Sequence, residues 1–223
     1  MRKEEILKFL LFRHACKVFD PSRKVKREDL EFILESARLS PSSFGFEPWR
    51  FIVVEDKKIR EKMLPLVWGA QNALKSATYY IVILARKRAS LIYNSDYITH
   101  MLYDIHHLPK DKGEARRAKY KKFQESDFKL LESDRAIFDW ASKQTYIALS
   151  TMMNVAAMLN IDSCAIEGFD MEATNNFLSK ELGYNKDEFG LSVMVAFGYR
   201  LNPQPLKTRQ PLNDIVEFKW KNY

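Results

Sequence analysis

The sequence has little with which to brace a fold covalently or through a metal. It contains two cysteines, Cys16 and Cys164, far apart and neither in a CxxC pair. Two such residues make neither a disulfide framework nor a zinc site, and both are expected to be lone buried or semi-buried thiols. His106-His107 has no ligand partners at fixed spacing, so no metal site is expected. Seven glycines and eight prolines in 223 residues exclude collagen-like and linker-like chains. No apolar run approaches the roughly 20 residues of a membrane helix. The opening Met1-Arg2-Lys3-Glu4-Glu5 lacks the apolar stretch of a secretory signal. The expectation is one cytoplasmic domain spanning residues 1–223, with no membrane partner.

What is present is an ordinary globular composition, 46% apolar and 29% charged, with a net charge of +7. The excess is local. Residues 2–27 carry nine basic and three acidic side chains, and residues 110–122 carry seven and two. A basic balance favours anionic partners: nucleic acid, acidic membranes or phosphorylated small molecules. Neither stretch has the glycines or aromatic interleaving of a known nucleic-acid module. A phosphate-bearing cofactor needs only a few cations, so charge alone leaves both uses open.

Periodicity predicts a mixed chain. Ile6, Phe9 and Leu10 mark a short amphipathic helix to about Arg13, and residues 27–39 a second one ended by Pro41. Residues 49–54, 79–85, 161–166 and 191–199 read as apolar strands, and 216–218 as a final edge strand. Residues 56–67, 94–107 and 114–132 read as helices, the last two more exposed. Residues 134–160 form the longest helix, whose second half, from Tyr146, is mostly apolar all round. Such a helix must be buried, in the core or against a second copy of the chain. Asp170 is expected to cap a helix that stops at Gly183. Strands and helices mix without regular βαβ alternation and there is no GxGxxG, so the fold class is α+β and not a Rossmann domain.

Four short constellations could carry chemistry. Arg13-His14-Ala15-Cys16-Lys17 sets cations and a histidine where a helix gives way to extended chain. Ser40-Pro41-Ser42-Ser43-Phe44-Gly45-Phe46-Glu47-Pro48-Trp49 is a stiff, small-residue loop before a strand. Ile166-Glu167-Gly168 follows a strand with a glycine that permits close backbone approach. Lys207-Thr208-Arg209 is compact and basic. Taken singly, each is matched as well by solvated charge or an ordinary connection.

In order along the chain, these four together with Lys143-Gln144-Thr145-Tyr146 resemble the nitroreductase family, the FMN-dependent, oxygen-insensitive type. The resemblance implies a central, mostly antiparallel sheet flanked by helices, in an intertwined homodimer with FMN in each interface cleft. It implies FMN contacts from Arg13, His14, Ala15, Lys17, Ser42, Ser43, Gln144, Ile166, Glu167, Gly168, Lys207 and Arg209. His14, Lys207 and Arg209 would face the phosphate, and Arg13 and Lys17 the pyrimidine edge. NAD(P)H would be the electron donor and a nitroaromatic or quinone the acceptor, in two ping-pong half-reactions needing no protein nucleophile. Flavin or dihydropteridine reduction on the same fold, or a basic nucleic-acid-binding role, are the alternatives. Ala15 stands where the family usually has serine, and Glu47 where many members have glutamine. Around Trp68 to Lys75 the family's usual Asn and Lys contacts do not align, leaving Gln71 or Asn72 to replace the amide and Lys75 the cation. Phe44, Glu47 and Phe123 would border the substrate.

Overall fold

The computed structural model describes residues 2–219. In chain order its helices are Lys3–Phe12 (α1), Arg27–Arg38 (α2), Lys57–Met63 (α3), Gln71–Ser76 (α4), Arg88–Leu91 (α5), Asp96–His100 (α6), Lys110–Lys122 (α7), Asp134–Met158 (α8), Met171–Leu182 (α9) and Leu212–Ile215 (α10). The strands are Trp49–Val53 (β1), Tyr79–Arg86 (β2), Asp162–Ile166 (β3) and Phe189–Gly198 (β4). They form one antiparallel sheet in the order β1-β2-β4-β3.

Helices cover both faces, which is why β2 and β4 are apolar at nearly every position. The pleat divides them. Tyr80, Val82 and Leu84 enter a core with Met63 of α3, Leu74 of α4 and Leu178 of α9. Tyr79, Ile81 and Ile83 enter one with Leu30 and Ile33 of α2 and Leu149 and Met152 of α8. On β4 the phase changes. Phe189 and Leu191 share a face with Met194 and Ala196, because the register skips Ser192 between Leu191 and Val193. This bulge turns the Ser192 hydroxyl to the buried Thr145 hydroxyl of α8, at 2.8 Å.

Caps set the helix ends. Ser133 Oγ accepts from Ala136 N at the start of α8, and Asp170 from Ala173 N at the start of α9. Gly183, at φ +71°, ends α9 as expected.

Four expectations need correction. Residues 94–107 and 114–132 are not two plain helices: α6 and α7 each run into a widened π turn, at Met101–Ile105 and Phe123–Asp127. They are not merely exposed either, since Ile98, Leu102, Tyr120 and Leu130 close a third core with Phe46 and Trp140. α8 is not buried all round, because Tyr146, Ile147 and Met158 remain exposed in one copy of the chain. Among the described residues 216–218 form no strand; Pro211 starts the turn α10, and Val216 N bonds back to Leu212 O instead of to a sheet edge.

Candidate active site

Leaving α1, the chain passes along β3. Ala15 bridges Ser163 in parallel, and Cys16 N donates to Ser163 O at 3.0 Å. The segment after β4 returns over it, with Leu201 N donating to Val18 O and Gln204 Nε2 to Leu11 O. Between the two straps lies a cavity of about 370 Å³ lined by Arg13, His14, Ala15 and residues 204–209. Sequence-distant Arg13, Lys207 and Arg209 thus meet. Among the described residues none of the three has a carboxylate within ion-pair distance. Two of the three Lys207 N–H donors go to the carbonyls of Leu10 and Arg13, which leaves one for a ligand. Its pKa is lowered by burial first, then by Arg13 and Arg209. Three crowded cations without an acid form a site for an anion.

Behind His14, outside the cavity lining, lies an ion pair. Asp162, at the head of β3, accepts from Arg200 N at 2.8 Å and Arg200 Nε at 3.0 Å, with Nη2 2.6 Å from its other oxygen. His14 Nδ1 lies 3.5 Å from that same oxygen. The expectation that His14 serves the phosphate is therefore corrected in part, because one ring nitrogen faces Asp162. Burial and Arg200 lower the His14 pKa, against the pull of Asp162. Cys16 completes a trio of potential metal ligands with His14 and Asp162. Its thiol is pushed up to about 12 by burial and by Asp162, and Arg200 already supplies the countercharge. Lys17 lies with its amine 3.6 Å from the sulfur of buried Cys164 on β3.

The loop before β1 is a second assembly. Ser43 N donates to Gln144 Oε1 at 2.8 Å, and Glu47 N to Ser42 Oγ at 2.9 Å. So Ser42, Ser43 and Gln144 come together, with Gln144 buried as an anchor. Phe44 packs on Phe46, Tyr120 and Phe123, its ring 4.9 Å from Tyr120 and 5.2 Å from Phe123. Phe44, Phe123 and Glu47 are half-buried.

The turn after β3 is the third. The Tyr146 hydroxyl donates to Glu167, beside a cavity of about 490 Å³ that also touches Ser142 and Phe169. Burial first, then Glu167, raises the Tyr146 pKa. Ile166 is buried, so only its backbone is available. Gly168 does permit close approach, but to Gly69: Gly69 N donates to Gly168 O at 2.7 Å, and a Cβ on Gly69 would stand 2.8 Å from Gly168 Cα.

That contact sets Trp68, 72% exposed, against the Glu167-Gly168 turn. Sequence reading missed Trp68, Asp162 and Arg200. A tryptophan next to one of only seven glycines was the available signal for the first; the ion pair left none.

Gln71 is corrected: its amide donates to Leu64 O and Val67 O, at 2.6 and 2.9 Å, which ties down its own loop. Lys75 lines a different cavity with Lys57, Arg60 and Glu61. In one copy of the chain, Ser42 and Glu167 do not line the Arg13–Arg209 cavity.

Comparisons with known proteins bear on the fold and the family. A Bacillus subtilis (strain 168) protein named "Putative NAD(P)H nitroreductase YfkO" is 49% identical over 98% of both chains. A nitroreductase-like protein of Streptococcus mutans superposes with TM-score 0.81 at 19% identity, over 98% of this chain and all of that one. A "putative nitroreductase in complex with FMN" from Exiguobacterium sibiricum 255-15 gives 0.76 at 20%, over 96% and 97%. The model of the Nitroreductase family matches residues 10–199, and with this fold and these relatives the chain belongs to that family.

Proposed function

We propose that this chain is an FMN-dependent oxidoreductase, one domain per chain, that uses NAD(P)H to reduce nitroaromatics or quinones. The carrying observation is the cavity where Arg13, Lys207 and Arg209 crowd without an acid. Its donor set suits a phosphorylated, anionic cofactor. Bound FMN would supply the redox chemistry, accepting hydride from the nicotinamide and passing two electrons to the acceptor.

The protein's part is binding and polarisation. Lys207 and Arg209 would hold the phosphate. Arg13 and Lys17 would stabilise negative charge on the ring's pyrimidine edge. Ser42 and Ser43 would grip from the loop that Gln144 anchors. The hydrogen bond to Tyr146 orients Glu167 beside the turn, and Trp68 would wall the acceptor side.

Exposed apolar surface suits the docking of a second copy of the chain. α1 buries none of its side chains and leaves Leu7, Leu10 and Leu11 exposed next to the open side of α8. Leu206 is 94% exposed beside the cavity. We propose a homodimer that covers these surfaces and brings Ser42, Ser43 and Gln144 of one copy to the cationic cavity of the other.

Purified protein should be yellow and release FMN on denaturation. NADH or NADPH should bleach it, and a nitroaromatic or quinone should restore the colour. Arg209→Ala should weaken FMN binding about tenfold or more, the loss of a charge-assisted phosphate contact. Protein that stays colourless and takes up no FMN would reject the reading.

A further inference from the structure

Four consecutive carbonyls of the loop, Phe44 to Glu47, are each claimed by a side chain from one excursion of the chain, residues 97–116. Arg116 Nη2 donates to Phe44 O at 2.6 Å. His106 Nε2 lies 3.0 Å from Gly45 O, and since a carbonyl only accepts, that nitrogen carries the proton. The Tyr97 hydroxyl reaches Phe46 O at 2.7 Å and Glu47 O at 3.0 Å. Tyr97 is itself held in place, with the Arg86 guanidinium 3.5 Å over its ring.

The loop needs such holding. Phe44, Gly45 and Glu47 have φ of 59°, 69° and 44°, the left-handed region that side chains other than glycine resist. Its own bonds reach only part of the way: Gly45 N to Ser42 O at 2.9 Å, Phe46 N to Ser43 O at 3.4 Å, Glu47 N to Ser42 Oγ at 2.9 Å and Trp49 N to Glu47 O at 2.7 Å, which leave the carbonyls of Phe44, Gly45 and Phe46 to the side chains. A Cβ on Gly45 would press on His106 at 3.3 Å, so the fit from outside is close. Just beyond Arg116, Tyr120 of α7 and Phe123 of the π turn lie on Phe44.

We infer that Tyr97, His106 and Arg116 are positioning residues that hold Ser42 and Ser43 in the shape that grips the cofactor. This inference rests on the loop being part of the FMN site proposed above.

The test compares FMN titrations of wild type, Tyr97→Phe and Arg116→Ala, read by flavin fluorescence and by the visible circular dichroism of bound flavin. Tyr97→Phe keeps the ring under Arg86 and removes only the donor. Its FMN dissociation constant should rise about tenfold, equivalent to about 1.4 kcal/mol, with an altered flavin spectrum. Arg60→Gln is the matched control. Arg60 donates to Val54 O, Ala77 O and Thr78 O in another part of the core, so its loss should lower the unfolding temperature and leave FMN affinity within about twofold.

Amide hydrogen exchange at residues 45–47 reads the clamp without flavin, and it should speed up in flavin-free Tyr97→Phe. Unchanged exchange overturns the clamp. Faster exchange with wild-type FMN affinity and spectrum overturns its role in cofactor binding, as does an affinity loss that only tracks unfolding temperature, as measured on Arg60→Gln. Wild-type protein that takes up no FMN overturns the flavin reading itself, and does so before any substitution is made.

Discussion

His14 shows how a residue with a ligand-binding look can be set by its neighbours. Burial and the adjacent Arg200 disfavour its protonated form more than Asp162 favours it, so its pKa lies below the ordinary 6.5. The sign follows from proton linkage. Below 6.5 the unfolded chain takes up a proton that the folded one resists, so the contribution is fully present above 6.5 and is lost as pH falls from 6.5 through the lowered value. Replacing His14 by Gln should flatten the stability profile in that window. Chemical denaturation at pH 7.5, 6 and 5 measures this, and an unchanged slope would contradict it. Arg13, Asp162 and Arg200 are the charged groups that face or crowd the ring. The run Arg13 to Lys17 was legible as a site because its residue types are unusual together. That an Asp162–Arg200 pair backs His14 was not, because the pairing joins the head of β3 to the residues just after β4.

At the scale of elements, the segments joined across the sheet are the informative ones. The Gly69–Gly168 contact ties the turn before α4 to the turn after β3, and both positions lack room for a methyl group. Gly69→Ala should destabilise the protein by about 1–3 kcal/mol through overpacking. It should also lower FMN affinity, because it displaces the Glu167 turn. Thermal unfolding and flavin titration together check this; a variant with wild-type values in both would show that the turn yields.

The basic run of α7, which in sequence suggested a polyanion surface, is partly structural. Arg116 and Arg117 donate inward to Phe44 O and Tyr93 O, and Lys122 pairs with Asp127. Charge counted along a chain does not say which side chains turn inward. Only packing settles that.

For the whole molecule, the open side of α8 and the unburied α1 set the main prediction. A pair such as Leu10→Asp with Ile147→Asp places charge on surfaces exposed in one copy. If a second copy covers them, sedimentation should show a loss of dimer and, with it, of bound FMN, while each chain stays folded. A wild-type protein that sediments as a monomer and still binds FMN would remove the homodimer from the proposal. No helix among the described residues is long and apolar enough to cross a membrane.

The sequence by itself determined the four strands of the sheet, the long helix, the caps at Asp170 and Gly183 and the order of the family's motifs, but it added an edge strand at 216–218 that does not form. Periodicity, end chemistry and residue type are local properties, and they survive without coordinates. Tertiary structure decided the rest: which cations share a cavity, why Gly168 is a glycine, where the Gln71 amide is spent, and how three distant side chains hold a strained loop. Those depend on distances between residues far apart in the chain, which no local pattern encodes.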